Sequence, residues 1–275
     1  MITFGGSSRQ SLASLRVTLD GKISSLSSAD CVTVSSDLFA VLTTLNSSIG
    51  LRRALTDPSR DVESKSVLVS DIFGKVIGAP ALAVVDAAIA LRWSSPSQLA
   101  GAIEQIAIES ESSAANHEGK LDLVQDEIFE FGRTLVANND LRQALNSRET
   151  DSPAKQALIN SIFTSKFSPF AVRLLNSLVA GLSGRSIEQA LSAYAHGVAA
   201  RRDRVTAHVR TAIALSDEQR TKLVDALTKQ IGQPVHINVE IDSSVIGGVA
   251  IRFADEVIDG TIVNRLAEAS RALVG

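Results

Sequence analysis

Aromatic residues make up 4% of this 275-residue chain, with one Trp and one Tyr, and there is a single Cys and a single Met. So few rings argue against a ligand pocket walled by aromatics. A core of Ala, Leu, Ile and Val suits closely packed helices instead. The one cysteine, Cys31, cannot close an intramolecular disulfide, which points to a reducing compartment. The nearest histidine in sequence is His117, so Cys31 has no neighbouring base and reads as an ordinary semi-buried thiol. Basic charge is not in excess, with 27 Lys and Arg against 30 Asp and Glu and a net charge of −3, so the electrostatic footprint of a nucleic-acid binder is missing. Long apolar runs are missing too. The most apolar stretch, VIGAPALAVVDAAIALRW, is interrupted by Pro80 and Asp86 and is too short uninterrupted to span a bilayer. The opening residues, MITFGGSSRQSLASLRVTLD, lack a charged start followed by an apolar segment, so no export signal is visible and work at a membrane would go through a partner.

The motifs of common chemistries are absent as well. There is no G-x-G-x-x-G, no G-x-x-x-x-G-K-[ST] and no G-x-S-x-G. His117, His196, His208 and His236 each stand without a second ligand at metal-binding spacing, so no metal, cofactor or catalytic residue is nominated. The pair Gly247-Gly248 leads into a strand rather than a helix N-terminus, where free N–H groups would meet a phosphate. It is expected to permit a turn or bulge at the strand entry. Asp255, Glu256 and Asp259 read as solvated residues around a hairpin turn. The basic run RRDR at 201–204, with Arg210, has no interleaved aromatics and reads as a hinge or a contact for an acidic protein surface. Nothing here has the pattern of an enzyme active site.

Helical periodicity runs from residue 8 to about 203, so the fold class is mainly α. Leu38, Leu42, Leu45 and Ile49 share one helical face, as do Ile187, Leu191, Tyr194 and Val198, and, on a shorter segment, Leu12, Leu15 and Leu19. TDSPAKQALINSIF opens a helix, with Ser152 as the expected cap and Pro153 at its first position. Pro80, Pro96 and Pro169 mark breaks between helices. LRRAL at 51–55 returns as LRQAL at 141–145, and at the same shift of 90 residues Phe39 meets Phe129, Asp61 meets Asp151 and Lys65 meets Lys155. From 39 to 73, 12 of 35 positions are identical without a gap. The helical domain, residues 1–203, therefore contains a duplicated unit, with copies at about 36–109 and 126–199. Between them ESESSAANHEGK is expected to be a polar linker or helix end, with His117 at an exposed turn.

Residues 204–275 read differently, as a small α/β module. VTAHVRTAIAL alternates in places, and SDEQ from Ser216 to Gln219 has the form of a capping box before a helix burying Leu223, Ala226, Leu227 and Ile231. VHINVEID alternates strictly, with Val235, Ile237, Val239 and Ile241 on one face. Val249, Ile251 and Phe253 form the next strand, a turn follows at Ala254, Asp255 and Glu256, and the chain returns through Val257 and Ile258. A last helix would carry Ile262, Leu266, Ala269 and Leu273 on one side. The order is β-α-β-β-β-α.

IDSSVIGGVAIRFADEVIDGTIVNRL, Ile241 to Leu266, resembles the signature of the δ subunit of F-type ATP synthases and of the mitochondrial oligomycin-sensitivity-conferring protein. Asp242, Gly247, Gly248, Asp259, Gly260 and Arg265 carry the match. The resemblance covers the last sixty or so residues well and the helical part more loosely. Two features depart from it: SRQSLASLRVTLD stands where the family has a Tyr-Ala-x-Ala run, and the chain is longer by about one repeat. The duplication accounts for the length and suits the actinobacterial form of the family. The resemblance implies a non-catalytic stator subunit without nucleotide or cofactor, peripheral on the cytoplasmic face of the plasma membrane. Its helical bundle would grip N-terminal helices of the α subunits of the catalytic head, and its C-terminal module would join the b subunits of the peripheral stalk. By analogy, α-subunit contacts are expected on the helix of Leu12, Leu15 and Leu19 and on a helix of one repeat, although those leucines equally suit a core. A scaffold or regulatory adapter reusing the fold is the alternative.

Overall fold

The computed structural model describes residues 4–231, 235–242, 249–253 and 256–259. The chain divides into two units, Met1–Ala199 and Ala200–Gly275. The first contains α1 (Gly6–Ile23), α2 (Ser28–Ser47), α3 (Ile49–Thr56), α4 (Val62–Phe73), α5 (Ala79–Ala90), α6 (Pro96–His117), α7 (Leu121–Ala137), α8 (Asn139–Asn146), α9 (Ser152–Phe163) and α10 (Pro169–Ala180). The unit boundary falls within α11 (Ile187–Val205).

The duplication is visible helix by helix. α3, α4 and α5 begin and end 90 residues before α8, α9 and α10. The identities in the sequence repeat have physical roles. Asp61 and Asp151 are N-caps: their carboxylates accept from the backbone N–H of Ser64 at 2.7 Å and of Ala154 at 2.9 Å. Asp151, not Ser152, therefore caps α9, and Pro153 occupies its second position, where its missing N–H still costs nothing. Leu45 and Leu135, Leu55 and Leu145, and Phe73 and Phe163 are buried in matching places. Another pair matches in function rather than identity. Asp37 accepts from the N–H of Gly78, the cap of α5, and Glu127 accepts from the N–H of Ser168, the cap of α10, at 2.8 and 2.6 Å. Each carboxylate lies at a helix N-terminus, where the macrodipole favours negative charge.

Two sequence expectations fail in this unit. Ile49 does not continue the face of Leu38, Leu42 and Leu45. α2 stops at Ser47, Ser48 accepts from the N–H of Leu51 to start α3, and Ile49 is exposed. The larger failure is ESESSAANHEGK. Its first nine residues form the C-terminal part of α6, and from Leu99 to Asn116 every residue of that helix except Gln105 is buried. The turn comes only at Glu118 and Gly119, where Gly119 adopts φ +66° and the N–H of Lys120 returns to the carbonyl of Ala115 at 2.8 Å. Cys31 is fully buried rather than semi-buried. Pro80, Pro96 and Pro169 all lie in the first turns of helices, as their missing N–H requires.

The second unit contains β1 (Thr206–Thr211), α12 (Asp217–Ile231), β2 (His236–Ile241), β3 (Val249–Phe253) and β4 (Glu256–Asp259). The sheet order is β2-β1-β3-β4, with β1 and β2 parallel across the α12 crossover and the other neighbours antiparallel. The Ser216–Gln219 capping box forms: the Gln219 side chain accepts from the Ser216 N–H at 2.9 Å, and the Ser216 hydroxyl from the Gln219 N–H at 3.3 Å. Leu227 packs with Ala207, Val209, Val235, Ile237 and Ile251, flanked by Leu223 and Val224. Ala226, expected inside, is exposed, because Val224 takes the inward position next to Leu223. Glu256 belongs to β4, paired with Phe253, rather than to the hairpin turn. Gly247, Gly248, Gly260, Arg265 and the expected closing helix lie outside the described residues.

Candidate interaction surfaces

Leu12, Leu15 and Leu19 sit at 6%, 0% and 0% exposure, on the face of α1 that packs against α5 and α6. A partner reaches them only by displacing α1, so in this chain they hold the helix rather than present it. Polar contacts hold the same helix. The Ser11 hydroxyl donates to the carbonyl of Arg92 at 2.6 Å, Ser8 bonds Ser94, and Arg16 pairs with Glu109 at 2.7 Å. Val17, on the outer side of α1, is exposed.

Glu109 is one of three carboxylates buried along α6. Glu104 receives both arms of Arg185, at 2.6 and 2.8 Å, and Glu111 receives Nε of Arg173 at 2.7 Å. The arginines come from α1, α10 and the turn before α11, so one helix ties together parts of the bundle that are far apart in sequence. Burial of unpaired carboxylates would be prohibitive; each here has a guanidinium partner. Burial still pushes the Glu111 carboxyl above its ordinary value, with Arg173 pulling the other way. Burial alone would lower the Arg185 guanidinium, but the Glu104 hydrogen bonds and charge raise it. The fully buried Tyr194 hydroxyl is held well above the ordinary phenol value, first by desolvation and then by Glu104. The three carboxylates and three guanidiniums bind each other, whereas the buried Tyr194 hydroxyl has no hydrogen-bond partner. Among the described residues, no His, Cys, Asp and Glu cluster is placed to hold a metal ion.

α7 has an outward surface that sequence periodicity missed. Its buried residues are Leu121, Val124, Glu127, Ile128, Phe131 and Leu135. A second stripe, spaced 4-3-4-3, consists of Asp122, Asp126, Phe129, Arg133 and Val136, all exposed, with Phe129 at 69% and Val136 at 83%. Arg133 lies over the Phe129 ring at 5.4 Å. Two of the stripe's five residues, Phe129 and Val136, are apolar and stand outside the helix's own core. The repeat partner of Phe129, Phe39, is half-buried.

In the second unit Asp242 closes β2. Its N–H donates to the carbonyl of Thr211 at 2.9 Å, and its carboxylate lies 3.4 Å from Nη1 of Arg210. Asp259 pairs with Ala250 at the end of β4. Among the basic residues singled out, Arg201 is buried while Arg202 and Arg210 are exposed, so they do not form one continuous patch. No described helix is long and apolar enough to cross a membrane.

Known proteins are similar to this sequence over nearly its whole length. ATP synthase subunit delta of Streptomyces griseus is 37% identical over 98% of both chains. That of Streptomyces coelicolor is 38% identical over 98% of this chain and 97% of its own. That of a Parafrankia species is 38% identical over 98% and 99%. A chain of the Toxoplasma gondii mitochondrial ATP synthase hexamer covers 61% of this chain and 97% of its own at 18% identity, with a TM-score of 0.30, too low to support any inference. The family model of the ATP synthase delta (OSCP) subunit matches residues 110–273, from the buried C-terminal part of α6 through the second copy and the α/β unit. The first copy lies outside that match, while the Streptomyces relatives align with 98% of the chain. The chain belongs to the ATP synthase delta (OSCP) subunit family.

Proposed function

We propose that this chain is a non-catalytic stator subunit of the proton-translocating ATP synthase, joining the top of the catalytic head to the peripheral stalk so that rotation of the rotor is coupled to ATP synthesis. The observation that carries this reading is the match over 98% of its length to chains named ATP synthase subunit delta. In this reading the helical unit takes the N-terminal helices of α subunits and the α/β unit takes the b subunits. The protein is peripheral, on the cytoplasmic face of the plasma membrane. A stator connector transmits torque without chemistry, which suits a bundle in which the three buried glutamates of α6 are each paired with an arginine. Several separate contacts serve it better than one, since linked sites multiply affinity through effective concentration. α1 and one helix of a repeat are the proposed α-subunit elements, with Leu12, Leu15 and Leu19 setting the position of α1 from inside. At the other end, Asp242, Gly247, Gly248, Asp259, Gly260 and Arg265 are proposed to shape the stalk-binding module.

Calorimetric titration of the full chain with a synthetic peptide of its own organism's α-subunit N-terminus tests the reading. Saturable binding with Kd below about 10 μM is expected. A chain shown folded by circular dichroism that binds neither this peptide nor the purified b subunit would overturn it.

A further inference from the structure

The order of helices repeats beyond the stretch of sequence identity, and the two copies overlap. α2 to α5 answer to α7 to α10, and each set has a long helix on either side of it. α6 serves both sets. It follows α5 across residues 91–95, as α11 follows α10 across residues 181–186. It also precedes α7 across residues 118–120, as α1 precedes α2 across residues 24–27. α1, α6 and α11 are therefore one position in the repeat met three times. α6 is the last helix of one bundle and the first of the next.

The contacts along α6 are interleaved rather than divided end from end. Toward α2, the Ser35 hydroxyl donates to the carbonyl of Ala107 and the Ser28 hydroxyl to that of Ala114, both at 3.0 Å. Ser110 donates back to the carbonyl of Cys31 at 2.9 Å, and Glu109 takes Arg16 of α1. Glu104, Ile108 and Glu111, spaced i, i+4 and i+7, meet the second copy. Arg185 and Arg173 hold the two carboxylates, and a Cβ added to Gly197 of α11 would stand 2.7 Å from Cγ2 of Ile108. Both sets lie within about three turns, from Glu104 to Ala114. The copies also touch directly, where the Phe39 ring of α2 stacks on Tyr194 of α11 with centroids 6.1 Å apart.

We infer that α6 makes the two copies a single opening unit, in which neither unfolds, even transiently, without the other. Melting α1 to α5 strips one side from a helix that is buried all round, and takes Arg16 away from Glu109. The second copy then loses half the cover of its first helix, and a lone helix of this length is marginal in water. Melting α7 to α10 does the same to the first copy, and takes Arg173 away from Glu111. A partner bound to either copy would protect the amides of both by the same factor.

This unit is a property of the free chain, so its failure would leave the stator reading untouched. Native-state hydrogen exchange of the full chain, read by mass spectrometry on peptides of α5 and α10, tests it. Phe73→Leu trims a buried ring of the first copy, and Phe163→Leu trims its counterpart in the second. Each is expected to speed the slowest amides of both helices by one common factor, about tenfold. If Phe73→Leu speeds α5 while α10 keeps the parent rate, or Phe163→Leu does the reverse, the copies open separately and the inference fails. Should either variant prove unfolded by circular dichroism, the parent chain in low urea decides. One shared urea dependence of exchange in α5 and α10 supports the single unit, and two different ones overturn it.

Discussion

The two copies of the helical repeat fold alike and face differently. Both begin their third-from-last helix, α4 or α9, with an aspartate cap; both bury a lysine, Lys65 or Lys155, one turn later; and both close that helix on a buried phenylalanine. Phe39 and Phe129 occupy the same place in the repeat, yet the first is stacked on Tyr194 and the second is 69% exposed. What the duplication kept is what each copy needs to form its own helices. What it let diverge is what each copy meets. α6 makes the point from the other side. It closes the first copy but also packs on α7 and α10 of the second, and so has no solvent face left.

If the copies are equivalent inside, equal wounds should cost equally. Phe73→Ala and Phe163→Ala remove rings 3% and 2% exposed, so each is expected to destabilise the chain by about 3–5 kcal/mol in urea unfolding. A difference above about 2 kcal/mol would mean that the two cores are not built alike. Arg185→Leu attacks the helix that joins the copies, leaving Glu104 buried without its partner. The expected loss is about 3 kcal/mol, somewhat reduced by the partial exposure of Arg185. Replacing both residues by leucine should recover most of it, because no buried charge then remains. A double variant no more stable than the single one would show that the pair adds stability beyond satisfying Glu104.

Much of this was legible in the sequence, for reasons that also explain the exceptions. Asp61 with Asp151, and Leu55 with Leu145, repeat because they act locally, through a cap or a core position one helix wide. The Ser216–Gln219 box and the alternation of Val235, Ile237 and Val239 were equally local, while Ile241, expected on the same face, is 63% exposed. Glu109, Glu111 and Ser110 were misread because their meaning lies elsewhere in the chain. A glutamate becomes a core residue only when Arg16 or Arg173 arrives from another helix, and Ser110 only when the carbonyl of Cys31 accepts its hydroxyl. Local polarity suggested solvent; long-range pairing reversed it. Ile49 failed for the opposite reason, a local one. The cap at Ser48 restarts the helix and turns the expected face outward. The α7 surface is not marked by the repeat, which places the same residue at Phe39 and Phe129 whatever surrounds each.

The contrast between these two rings predicts a smaller effect. Phe39→Ala loses packing and the stack on Tyr194, and is expected to cost about 1–2 kcal/mol. Phe129→Ala should stay within about 0.5 kcal/mol of the parent, since its ring is largely in water. Equal losses on urea unfolding of the isolated chain would show that Phe129 is covered in solution, and the claimed difference between the copies would be lost.

Glu111 lies between the two copies, on the part of α6 that the sequence repeat does not reach, and it predicts the smallest effect. Burial holds its carboxyl above the ordinary value of 4.5, against the pull of Arg173. Between 4.5 and that raised value the folded chain therefore binds more protons than the unfolded chain, so this group's contribution to stability falls as pH rises through the window. Glu111→Gln titrates nothing there. Unfolding midpoints in urea, compared at pH 4.5 and at neutrality, should show the parent losing ground to the variant as pH rises. If the parent gains ground instead, the charge of Arg173 outweighs burial at this site, and the second copy is held to α6 by attraction where desolvation is here taken to dominate.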